Sequence, residues 1–117
     1  MIAGLVFREP WFESARGLIE GAALHAPSLI QLELANVALK KHRRGEAHAL
    51  PGLEQALSLD IYLHSVDAGA VFALAERYQL TAYDAAYLWL AADLRCPLAT
   101  FDERLGAAAQ SHLANLP

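Results

Sequence analysis

Only one cysteine, Cys96, stands in this chain of 117 residues. An internal disulfide is therefore impossible, and a reducing compartment is the simplest setting, so a cytoplasmic protein is expected. Charge is sparse too: charged residues make up 19%, and the net charge is −4. Non-specific nucleic-acid binding runs on Lys and Arg neutralising phosphates, so bulk attraction of that kind is not expected here. A local basic patch, or a bound metal that brings its own positive charge, stays open. No apolar run approaches the roughly 18 residues of a membrane span. The opening Met1-Ile2-Ala3-Gly4-Leu5-Val6-Phe7 is too short for a signal-peptide core and lacks a basic start. GxGxxG, P-loop and GxSxG patterns are missing. His25, His42, His48, His64 and His112 show no zinc-ligand spacing. Repeats, low-complexity tracts and linkers are absent as well. What is present is apolar: hydrophobic residues make up 56%, enough for one core over residues 1–117 but not for two domains.

The stretch Thr81 to Thr100, TAYDAAYLWLAADLRCPLAT, organises the rest. Thr81 suits a helix N-cap, and Asp84 stands three residues on, where a capping-box acid belongs. Tyr87, Leu88, Ala91 and Leu94 follow at helical spacing, Arg95 falls in the last turn, and Cys96-Pro97 ends the helix. Leu98 to Phe101 fits a short strand, with Asp102 at its carboxyl end.

Upstream, residues 2–8 fit a short helix or a strand equally well. Trp11 to Gly21 reads as a helix. Leu24-His25-Ala26 reads as a strand ended by Pro27, with Ser28 capping a helix that runs to about Arg44. Leu29, Leu32, Ala35, Val37 and Leu39 form the apolar stripe of that helix, widened by Ile30 and Leu34. Lys40 to Arg44 crowd its last turn, and Gly45 closes it. A helix over Ala47–Leu57, a strand over Leu59–Leu63 and a helix over Asp67–Tyr78 follow. The pattern then predicts a last helix from Asp102 to about Gln110 and a short strand over His112–Leu116. Strands alternating with helices argue for a parallel sheet covered on both faces.

Three carboxylates stand out. Glu33 lies in an otherwise apolar helix, QLELANVALK, where burying a lone charge is costly unless it is paired or coordinated. A rotated helix with Glu33 merely bordering solvent is the bland alternative. Asp84 doubles as a capping acid and Asp102 as the N-cap of the last helix. Together, however, Asp84 and Asp102 flank one helix–strand unit near one sheet edge, where open α/β sheets build their sites. Clustered carboxylates repel one another, and a hard cation with oxygen ligands, Mg²⁺ or Mn²⁺, relieves that repulsion. Such a site suits phosphodiester hydrolysis, in which the cation polarises the phosphoryl oxygen and lowers the pKa of water. Asp93 lies about 180° around the helix from Asp84 and faces elsewhere. Cys96 reads as a small buried residue, and Trp11, Phe12, Phe72 and Trp89 at helical spacing read as packing residues rather than a base-stacking platform.

The stretches APSLIQLELANVALK, LTAYDAAYLWLA and PLATFDERL, in this order and spacing, resemble the PIN-domain family, and within it the VapC-type toxins of bacterial toxin–antitoxin pairs. The resemblance runs over essentially the whole chain. It implies a three-layer α/β/α fold with a short parallel sheet and a metal-dependent endoribonuclease that acts on RNA. It also implies a homodimer and inhibition by a cognate antitoxin protein. Glu33, Asp84 and Asp102 take the acidic catalytic and metal-binding positions; Thr100 is an adjacent polar helper, and Asn36 orients a ligand by a hydrogen bond. One departure stands out. The family opens with a short apolar strand carrying an aspartate, ahead of a helix like IAGLVFREP, and this chain begins at that helix. The first strand is therefore expected to be missing, with a late start, a trimmed chain, or another segment or chain filling its place. Its loss forfeits several backbone hydrogen bonds of about 1 kcal/mol each, against a total stability of roughly 5–15 kcal/mol. Two further readings accompany the nuclease: a catalytically impaired PIN-fold module that pairs with an antitoxin or with itself, and a different Mg²⁺-dependent phosphoesterase on a doubly wound sheet.

Overall fold

A computed structural model describes residues 4–7, 23–100 and 102–117. Within them the chain runs β1 (Gly4–Phe7), β2 (Ala23–Pro27), α1 (Ile30–Arg43), α2 (Ala49–Leu57), β3 (Ile61–His64), α3 (Ala68–Tyr78), α4 (Ala82–Leu94), β4 (Leu98–Ala99) and α5 (Glu103–Ala114). The four strands form one sheet in the order β3-β2-β1-β4. Every pairing is parallel: Leu5 lies opposite Leu24, Val6 opposite Leu98, and His25 opposite Tyr62. The expected α/β class with a parallel sheet is therefore present.

Gly4–Phe7 resolves the ambiguity of the opening segment in favour of a strand. It occupies the interior of the sheet, between β2 and β4. The helix read into IAGLVFREP is thus corrected over these four residues. The physical reason is tertiary. An interior slot pairs the backbone on both sides, and the Val6 N–H donates to the Pro97 carbonyl at 3.0 Å. Leu5 and Val6, which point to opposite faces, are both buried. Pro27 and Ala26 repeat that two-sided burial in β2, as a sheet covered on both faces requires.

The core is arranged around α4. Ala85, Ala86, Tyr87, Leu88, Leu90 and Ala91 are all buried, so this helix is enclosed nearly all round. Tyr87, Leu90 and Ala91 pack with Leu5, Val6, Leu24 and Ala26 of the sheet and with Ile30 and Leu34 of α1. Ala85, Ala86 and Leu88 pack instead with Val71 and Leu74 of α3 and with Leu105, Ala108 and Ala109 of α5. Fully burying a Leu or Tyr-sized side chain contributes about 1.5–3 kcal/mol, so this helix anchors both layers.

Four further expectations change. Ser28 does not cap α1: the N-cap is Leu29, without a side-chain bond. Ser28 instead donates its N–H (2.9 Å) and hydroxyl (3.2 Å) to the His64 carbonyl, tying the ends of β2 and β3 together. The buried stripe of α1 is Ile30, Leu34 and Ala38, one full turn apart each, while Leu32 and Leu39 are exposed. The final strand does not form. Helix α5 continues to Ala114, because Leu105, Ala108 and Ala109 keep one face buried through an alanine-rich run of high helix propensity. Phe72 is not a packing residue; it is 73% exposed. The helix over Trp11–Gly21 and the packing roles of Trp11 and Phe12 lie outside the described residues, as does Phe101.

Candidate active site

The strand order itself locates a crevice. Strands β1, β2 and β3 follow one another to one side, whereas β4 lies on the other side of β1. Strand β4 is thus added on the side of β1 opposite β2 and β3, and the carboxyl ends of the β1–β4 pair are where open α/β sheets accept ligands. Asp102 follows β4 there. Helix α4 leads back into the amino end of β4, so its first turn, with Asp84, lies near the same edge.

Both acids are held by local chemistry. The Thr81 hydroxyl accepts the Asp84 N–H at 3.1 Å, and Thr81 adopts the extended backbone of an N-cap, as its sequence position suggests. One Asp102 carboxylate oxygen accepts the Leu105 N–H at 2.8 Å, capping α5. Thr100 accepts the Asp102 N–H at 3.1 Å and so fixes the backbone that carries the acid. Capping occupies one oxygen of a group with about four acceptor sites, so it does not exhaust the carboxylate. Asp84 and Asp102 line one open groove of about 660 Å³, together with Thr81, Gln79, Phe72 and Arg104. For Asp102 the bland and the functional readings are thus compatible: its cap leaves it on the groove.

Glu33 arrives from another direction. It stands in the first turn of α1 and is half-buried. The hydroxyl of Tyr87, a fully buried side chain, donates to Glu33 Oε1 at 2.5 Å. A hydrogen bond from a buried hydroxyl is the compensation a half-buried carboxyl group needs. Tyr87 lies three residues after Asp84 on α4, so Glu33 docks one helical turn from that acid. Glu33 does not line the groove, and among the described residues no group of three or more His, Cys, Asp and Glu side chains is placed to hold a metal ion. The structure therefore brings Asp84 and Asp102 together and joins Glu33 to their helix, without a three-acid cluster. Asn36 is exposed on α1 one turn beyond Glu33. Asp93 lines a separate hollow with Arg77, Trp89 and His112.

Sequence reasoning placed Tyr87 on a helix stripe without a polar role, read Phe72 as packing rather than a base-stacking platform, and gave Arg104 no role. The signal for Tyr87 was its phenol in the run Ala85–Ala92, where a buried hydroxyl demands a partner. Away from the groove, His25 and His64 share a hydrogen bond at 2.8 Å, and Tyr62 stacks on His25. Burial, and secondarily the neighbouring His64, hold His25 below the usual imidazole range.

The sequence pattern of the family described as PIN domain matches residues 1–110. The chain belongs to the PIN-domain family. As a PIN domain it carries a fold that generally serves nucleases. The crystal structure of PAE2754 from Pyrobaculum aerophilum has the same fold: the TM-score is 0.73 at 22% identity, over 99% of this chain and 98% of that one. No curated protein matches the sequence.

Proposed function

We propose that this PIN domain is a metal-dependent endoribonuclease and the toxin of a type II toxin–antitoxin pair. The observation that carries the nuclease reading is the placement of Asp84 and Asp102 on one open groove at the carboxyl edge of the sheet. Their donors suit a hard cation. Mg²⁺ is commonly held by one or two carboxylates, with waters and substrate phosphate completing the shell. Asp84 and Asp102 would hold Mg²⁺ or Mn²⁺, with Glu33 contributing from α1. When bound, such a cation supplies charge to a phosphoryl oxygen and acidifies water. The chain's own residues do the positioning. Thr81 and Thr100 fix the backbones of the two aspartates, and Tyr87 orients Glu33.

The toxin role is supported by the resemblance of the three motif stretches to VapC-type toxins. An antitoxin, or a second copy in a homodimer, is supported by Leu32, Leu39, Leu50 and Leu57, all exposed on α1 and α2. The second reading, a PIN-fold binding module without catalysis, is favoured by one observation: no three-acid group forms among the described residues. RNA cleavage with Mg²⁺ or Mn²⁺, comparing the unsubstituted chain with Asp84→Asn and Asp102→Asn, separates the two. The nuclease reading expects at least about a 100-fold loss in each variant, since even the outer partners of a ligand are worth about 10–100-fold. Cleavage indifferent to both carboxylates refutes the site. A chain that cuts nothing yet captures an antitoxin supports the module.

A further inference from the structure

We propose that Phe72 and Arg104 form a nucleotide subsite on the groove wall, where one unpaired base stacks on the Phe72 ring and an adjoining phosphate meets the Arg104 guanidinium. The inference rests on the nuclease reading, from which it takes the nucleic acid, and it names what the groove recognises.

Helix α3 completes its packing without Phe72. Val71 and Leu74 supply the buried face, against α4 and α5. Phe72 is turned about 100° from Val71 by helical geometry, and its ring is 73% exposed. A single exposed apolar side chain is ordinary. This one, however, lines the same groove as Asp84 and Asp102. Its position relative to them is fixed by a tight link between α3 and α4. Gln79 takes the left-handed conformation at φ 55°, and the Leu80 N–H donates to the Ala75 carbonyl at 2.9 Å. The ring therefore stands on a short, hydrogen-bonded frame shared with the first turn of α4.

Arg104 supplies the second half. It is an exposed cation on that wall, in a chain whose net charge is −4. Among the described residues its guanidinium makes one long contact, Nη1 to the Gln79 carbonyl at 3.5 Å. A guanidinium carries five donors in a planar fork that suits phosphate, so this contact leaves most of them to a ligand. The groove volume, about 660 Å³, falls within the roughly 300–1,000 Å³ typical of small-ligand clefts. Stacking on an aromatic ring tolerates any base but requires it to be unpaired and splayed out. The subsite consequently selects single-stranded RNA and leaves duplex bases out of reach.

A short oligoribonucleotide carrying 2-aminopurine tests the subsite in EDTA at low salt, where stacking quenches its fluorescence and cleavage does not intervene. The unsubstituted chain should quench it. Phe72→Ala should abolish the quenching and weaken binding about tenfold, while Phe72→Trp retains both. Arg104→Gln should weaken binding and reduce the slope of log affinity against log salt by about one. Because Phe72 is exposed, Phe72→Ala is expected to fold, and circular dichroism checks it. Asp84→Asn should keep the quenching while losing RNA cleavage. If the stacking signal survives and cleavage proves independent of Asp84, the nuclease reading falls and the subsite stands. No quenching by the unsubstituted chain, or equal binding by Phe72→Ala, overturns the subsite; equal binding assigns the ring to a protein partner.

Discussion

The two sides of the sheet use the same building blocks to opposite ends. On the β1–β4 side the strand order switches direction, and the starts of α4 and α5 place two carboxylates on an open groove. On the β2–β3 side the chain closes upon itself. His25 bonds His64, Tyr62 stacks on His25, and Ser28 donates twice to the His64 carbonyl. Polar groups on the closed side satisfy one another. On the open side Asp102 gives one carboxylate oxygen to the α5 cap, and both acids line the groove. Secondary structure does not distinguish the two sides, since each is a parallel strand pair followed by a helix. Strand order does, by opening a crevice only where neighbouring connections part.

Substitution of one titratable group on each side gives the sharpest contrast. Asp84→Asn should cost RNA cleavage at least about 100-fold, whereas His25→Gln should leave the rate within about threefold, both read by initial rates on one RNA substrate. Equal losses would erase the distinction. Next in size is Tyr87→Phe, which removes one donor to the half-buried Glu33. A hydrogen bond to a charged group is worth about 1.5–3 kcal/mol, and urea denaturation should show a loss in that range. A smaller loss would mean that other groups or water hold Glu33.

Thr81→Ala should lower stability by about 1 kcal/mol through loss of the α4 cap, again by urea denaturation. It should also reduce cleavage, because the Asp84 backbone loses its anchor. A stability loss with cleavage intact would separate the cap from the site. The smallest effect belongs to the closed side and depends on pH. His25 is held below its ordinary value of 6.5 by burial and by His64. His112 is lowered as well, by burial and by Arg77. A lowered imidazole pKa means that the unfolded chain binds more protons than the folded one. Stability is therefore complete above about pH 6.5 and declines as pH falls below it. The urea midpoint should drop between pH 7 and pH 5.5, and His25→Gln should flatten that drop. An equally steep drop in the variant would assign the effect to other groups.

Much of the fold was legible because its signals are local. Thr81 announces its helix as a cap, and its side chain accepts a backbone N–H as expected. Gly45 closes α1 with a positive φ of 81°, which suits glycine. The alternation of strand and helix sufficed for a parallel sheet. Illegible features were those that depend on distant partners. Gly4–Phe7 became a strand because an interior slot existed for it. The face of α1 that turned inward was set by α4 and the sheet, and it left Leu32 and Leu39 outside. Phe72 looked like core by its spacing, yet Val71 and Leu74 had already filled the available face.

The candidate site divides in the same way. The amino-acid sequence alone determined that acids stand at the ends of particular elements, since caps and hydrophobic periods act within a few residues. Only the tertiary structure decided which acids meet. Asp84 and Asp102 share a groove, while Glu33 is drawn to Tyr87 from 54 residues away. Those meetings depend on strand order and helix rotation, which follow from the packing of the whole core and have no local code.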